Sequence, residues 1–131
     1  MKPDVQQAIK EIRATFPGVS LEIEEDPEGG AFVTANDFAL GAQFEPERSW
    51  CGFRITFQYP FADIYPHYFT PNLSRKNGQP LGEAFHANHQ WEHPLRKDAA
   101  TMVSRRSNRR DPATETAALK LAKVLDWIRT R

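Results

Sequence analysis

Apolar residues near the start of the chain recur at helical spacing: Val5, Ile9, Ile12 and Phe16 lie four, three and four residues apart. That spacing lines one side of a helix, Pro3 and Asp4 suit its opening turn, and Pro17-Gly18 stops it. The period then changes to two. Val19, Leu21 and Ile23 alternate with polar residues, Asp26-Pro27-Glu28-Gly29-Gly30 supplies the permissive dihedrals of a turn, and Phe32 to Leu40 reads as the returning strand. Phe53, Ile55 and Phe57 alternate again, and a fourth short strand is expected near His67 to Thr70. From Asn72 to Asp111 no period is sustained. Polar residues with scattered Gly and Pro predict a long irregular segment there, shortened at most by a helix within Ala99 to Val103, and such segments tend to carry function. Asp111 as N-cap, Pro112 at the first helical position and the stripe Ala118, Leu121, Ala122, Leu125 and Ile128 predict a last helix. The expected fold class is α+β in a single domain, residues 1–131: an N-terminal helix, a three- to four-stranded antiparallel meander, an irregular active-site segment and a C-terminal packing helix.

Composition narrows the function classes. At 131 residues with 40% hydrophobic content, the chain can bury one core holding roughly two-thirds of its unfolded surface. Seventeen basic and seventeen acidic residues cancel, which argues against a nucleic-acid surface built on bulk charge; Arg105, Arg106, Arg109 and Arg110 are a local exception. The single cysteine cannot form an internal disulfide, and no apolar run approaches the ~20 residues needed to span a bilayer. A soluble, cytoplasmic protein with no membrane or nucleic-acid partner is the expectation.

The third strand runs into Tyr59-Pro60-Phe61, followed by Pro66 and by Phe69-Thr70-Pro71. This block resembles the centre of the ubiquitin-conjugating enzyme superfamily, where a meander strand ends in Tyr-Pro-Phe and a proline-rich crossing leads to the next strand. The order of elements is similar over most of the chain. Within that superfamily the chain is most similar to divergent conjugating-enzyme-like proteins of bacterial ubiquitin-like conjugation operons, a group implied to act in antiviral defence. The resemblance implies a bacterial source, no cofactor, and three partners: a ubiquitin-like protein, the activating enzyme that loads it, and a protein target.

Departures from the family pattern shift the expected chemistry. His86-Ala87-Asn88 keeps the ends of the family's His-Pro-Asn motif without the proline, and Thr101 to Asn108, where the nucleophilic cysteine is expected, contains none. Cys51 precedes the strand and is expected to pack beside Trp50. Ser104 follows the apolar pair Met102-Val103 as the family's cysteine follows its own, so the resemblance implies acceptance of the ubiquitin-like C-terminus on Ser104, with Ser107 second, as an oxyester that is then passed to a target amine.

A serine hydroxyl needs an adjacent base, and His86, His89 and His93 lie upstream in one run. The oxyanion needs fixed donors, worth ~3 kcal/mol each in other enzymes, for which Asn88 and Asn108 are candidates; Asp98 or Asp111 could deprotonate the attacking lysine. Two readings from other classes stand beside this one. A non-catalytic conjugating-enzyme variant or RWD-like module would bind a ubiquitin-like protein or activating enzyme without chemistry. A zinc-binding protein would use the histidine run, but no second cluster of Cys or carboxylates at ligand spacing accompanies it, so no metal site is assigned. Trp91 is expected in the core, and the arginines are expected to form a collar that steers an acidic partner.

Overall fold

Helix α1, Pro3–Thr15, buries Val5, Ala8, Ile9 and Ile12, the side that the apolar spacing predicts. Asp4 sits in its first turn, where the helix dipole favours negative charge. Strands β1 (Ser20–Glu25) and β2 (Ala31–Ala39) pair antiparallel with Ile23 opposite Val33. Asp26 holds their turn: its carboxylate accepts from the Glu28 amide at 3.0 Å and its carbonyl from the Gly29 amide at 2.9 Å. Gly29 has φ 110°, where a Cβ would be strained. After the short strand β3 (Phe44–Glu45), β4 (Arg48–Ile55) pairs with β2, and β5 (His67–Phe69) pairs with β4. The antiparallel meander expected from the alternation is therefore present.

The computed structural model describes residues 1–131 and departs from expectation beyond Pro71. The segment read as irregular contains β6 (Ser74–Arg75), which pairs with β3, and then a long hairpin of β7 (Phe85–His93) and β8 (Arg96–Val103). The helix considered for Ala99 to Val103 is part of strand β8. Pairing of β8 with β5 extends the meander to six antiparallel strands in the order β1-β2-β4-β5-β8-β7. A bulge explains why period two is not legible in β7. His86 opposes Met102 but His89 opposes Ala100, so Ala87 and Asn88 share one gap, with Asn88 left-handed at φ 62°. Phe85 consequently faces the helices, whereas Trp91, beyond the bulge, faces the other side.

The last helix, α2, spans Ala117–Arg129 and starts later than Asp111-Pro112 predicts. Asp111 instead closes a turn of its own, its carbonyl accepting from the Glu115 amide at 2.9 Å. Thr116 is extended, and its hydroxyl caps α2 by accepting from Leu119 N–H at 3.1 Å. Both helices pack on one face of the sheet, where Ile12, Leu121 and Leu125 meet Val33, Phe53 and Phe69 in a single core. Cys51 is fully buried there, and burial pushes its thiol well above the usual range, so it packs and offers no thiolate.

Tyr59 of the Tyr-Pro-Phe block has a structural task. Its hydroxyl accepts from the Ala117 amide at 3.0 Å, satisfying a free donor at the start of α2. Phe61 of the same block is 79% exposed. Tyr59→Phe is expected to cost about 1–2 kcal/mol in urea unfolding, because the buried amide loses its acceptor while the ring stays.

Candidate functional site

Alternation sends Val33, Phe53 and Phe69 to the helices and therefore Phe32, Arg54 and Tyr68 to the opposite face. The β7–β8 hairpin bends back across that second face. Trp91 donates from Nε1 to Thr34 Oγ1 at 2.9 Å, and its ring lies 5.2 Å from Tyr68 and 6.1 Å from Phe32. Gly52 makes room for the indole: a Cβ there would meet Trp91 Cε2 and Nε1 at 2.6 Å. The hairpin tip reaches β1. His93 bonds through Nδ1 to Glu24, and through Nε2 to Asp98 at 3.0 Å; Leu95 N–H donates to Glu24 at 3.0 Å. Burial opposes ionisation of Asp98, but hydrogen bonds from His93 and Arg96 outweigh it and hold its carboxyl below the usual value.

This closure leaves a concave cleft of about 680 Å³ between the hairpin and the β4–β5 connection. Phe32, Tyr68 and Trp91 supply apolar rings, Asp63 and Tyr65 stand on one wall, and Asn88 to Glu92 form the other. Arg54 lies with its guanidinium carbon 5.0 Å from the Phe32 centroid and pairs with Asp26. Arg106 rests 4.7 Å from the Tyr65 centroid, and no carboxylate pairs with it. Three aromatic rings among mostly polar residues, in a volume within the ~300–1,000 Å³ of small-ligand sites, make this cleft a candidate binding feature.

Comparison of the chain with family models, with curated proteins and with solved structures returned no match. The cleft and the residues singled out in the sequence must therefore be weighed on geometry alone.

Those residues divide: His86 and His89 stay together at the Ser104 end of the hairpin, whereas His93, Ser107 and Asn108 lie elsewhere. Ser104 is half-buried just past β8, and its amide donates to Ala84 carbonyl at 2.9 Å, extending the hairpin by one pair. His86, opposite Met102, shares a face with Ser104 as a diagonal neighbour, a relation that separates Cα atoms by ~7–8 Å. His89 is exposed, 6.0 Å from His86 edge to face, and lines the cleft with Asn88. His93 is opposite Arg96, roughly 25 Å along the strand from Ser104, and both its ring nitrogens are already bonded to carboxylates. Asn108 is exposed in a turn. No three His, Cys, Asp or Glu side chains converge as metal ligands.

Ser107 belongs to a buried charge cluster instead. Its hydroxyl accepts from Lys120 Nζ at 2.7 Å and its amide donates to Asp63 at 2.8 Å. Lys120 spends its remaining donors on Asp63 at 3.2 Å and Arg105 carbonyl at 2.7 Å. Glu115 pairs with Arg110 at 3.2 Å and Lys123 at 2.9 Å; burial opposes its ionisation, but hydrogen bonds from Lys123 and Ser107 keep its carboxyl below the usual value. These contacts fasten residues 104–110 to α2. The fourth histidine, His67, lies on the helix side of β5, fully buried 5.3 Å from Phe53, with both ring nitrogens unpaired.

The cleft escapes a reading from sequence because its floor comes from the positions of three strands that alternate with the core ones, and from Trp91 across the bulge. The available signal was alternation itself: Phe32, Arg54 and Tyr68 share the face opposite Val33, Phe53 and Phe69.

Proposed function

We propose that this chain is a binding domain of the ubiquitin-conjugating type, acting without a nucleophile of its own in a bacterial conjugation system, and that its cleft receives the extended C-terminal segment of a ubiquitin-like protein. The aromatic cleft carries this reading. A flexible terminal segment can lie in a concave trough that a folded surface cannot enter, and the terminal carboxylate finds the unpaired Arg106 guanidinium at the edge. The absence of any imidazole bonded to Ser104 or Ser107 is consistent with binding alone. Calorimetric titration with the intact ubiquitin-like protein should give binding that is lost when its terminal segment is removed. Tyr68→Ala should weaken it about tenfold, the scale of a stacked aromatic contact. Equal affinity for intact and truncated partner would contradict the proposal.

A second reading, an oxyester on Ser104, is favoured by the diagonal placement of His86 beside Ser104 on one face. In that step Ser104 Oγ attacks the activated C-terminal carbonyl, its proton passes to His86, and the activating enzyme's thiolate leaves. Incubation with the activating enzyme, the ubiquitin-like protein and ATP separates the two readings. An oxyester resists thiol reductants, is cleaved by alkaline hydroxylamine, disappears in Ser104→Ala and persists in Cys51→Ala; the binding reading expects no such adduct.

A further inference from the structure

Four arginines in this chain rest on aromatic rings with no carboxylate side chain paired to them: Arg75 on Phe44, and Arg105, Arg106 and Arg131. Arg106 stands at the cleft. Arg105 and Arg131 lie together, with their guanidinium carbons 4.6 and 4.7 Å from the centroid of Trp127 on α2. Two depressions flank that indole. One, of about 240 Å³, is bordered by Arg105, Arg106, Lys120 and Lys123, against the single carboxylate of Glu115. The other, of about 380 Å³, is bordered by Arg131, Arg105, Leu81 and Phe85, against the single carboxylate of Glu83.

Glu115 is neutralised by Arg110 and Lys123, and Lys120 by Asp63, so the charge left facing solvent is that of Arg105, Arg106 and Arg131. Three of the chain's unpaired cations thus border one patch. Stacking on a ring holds a guanidinium flat with its N–H edge outward, so less side-chain entropy is lost when an anion arrives. We propose that this patch, formed by residues 104–110 and the end of α2, docks an acidic, extended protein segment, with carboxylates in the two depressions and an apolar side chain on Trp127 between them. Separate depressions on either side of an indole suit carboxylates spaced along a chain. Arg106 alone is shared with the edge of the cleft, and Arg105 and Arg131 on Trp127 carry the test, so the inference stands whether or not the cleft binds a ubiquitin-like tail.

The test is fluorescence anisotropy of a labelled Glu-Gly repeat peptide with the full chain. Saturable binding at low ionic strength should weaken about tenfold on approaching ~0.15 M salt. Arg105→Glu combined with Arg131→Glu should weaken it at least about tenfold, Arg105→Gln should give an intermediate loss, and Lys10→Glu on α1 should change nothing. Circular dichroism and the thermal midpoint establish that each variant is folded. No binding to the wild-type chain, or an equal loss in Lys10→Glu, would overturn the proposal. Tighter binding of a single-stranded oligonucleotide of matching charge would overturn it as well, by making the patch a nucleic-acid surface.

Discussion

Trp91→Ala is expected to lower the unfolding free energy by about 3–5 kcal/mol, the largest effect of any single truncation on the cleft side of the sheet. The indole is 3% exposed and touches Thr34, Gly52 and Tyr68 on three other strands as well as His93 on its own. Its removal leaves a cavity and also orphans the Thr34 hydroxyl. Beyond the β5–β8 ladder at residues 101–103, the hairpin's other ties to the sheet are the His93 and Leu95 contacts with Glu24 and the exposed Arg96–Glu22 pair at 3.4 Å. Surface ion pairs of that kind contribute little. Amide exchange should therefore accelerate in residues 89–98 of Trp91→Ala well before it accelerates in β2 and β4, as local opening of a weakly held unit. Uniform acceleration across the sheet would contradict the latch assigned to this residue.

Acid should destabilise the protein through His67 before it reaches the carboxylates. Burial, helped by the nearby Lys120 charge and opposed by Asp63, lowers the imidazole pKa from 6.5 to about 3. The unfolded chain takes up a proton below about pH 6.5 and the folded chain does not until near pH 3, so the unfolded state is increasingly favoured as pH falls between them. The stability present above pH 6.5 is expected to decline by about 1.4 kcal/mol per pH unit once below it, for a total on the order of 3–5 kcal/mol. Asp98 and Glu115 are lowered in the fold, so their contributions are lost at lower pH, leaving the upper part of the window to His67. His67→Phe keeps a ring against Phe53 and removes two nitrogens that have no partner. Urea titrations at a series of pH values should show the slope above pH 4.5 in the wild type and a flat profile in the variant. An unchanged slope would assign the proton uptake elsewhere.

Much of the fold was legible where a period ran uninterrupted. Val5, Ile9 and Ile12 mark α1, Ile23 and Val33 mark the first hairpin, and Phe53 and Ile55 mark the central strand; each lies buried or packed on the core as its spacing requires. The β7–β8 hairpin was not legible, for a physical reason. The bulge at Ala87-Asn88 switches the buried side from Phe85 to Trp91, and residues 87–90 between them are exposed at the sheet edge, so neither a period nor an apolar run survives. The start of α2 was misplaced because Asp111-Pro112 is a sound helix signal spent on a single turn, while Thr116 does the capping. Residue types alone grouped the three histidines of the hairpin into one site. The register removes one of them: His86 near Ser104 and His89 on the cleft remain ring to edge, and His93 lies in the latch to β1.

The most direct measurement is an amide and indole nuclear magnetic resonance map of the labelled chain titrated with its ubiquitin-like partner. The binding account predicts shifts concentrated at Phe32, Arg54, Tyr68, His89 and the Trp91 Nε1–H, with no covalent product after addition of activating enzyme and ATP. Shifts confined to residues 101–108, together with a hydroxylamine-sensitive adduct at Ser104, would contradict it.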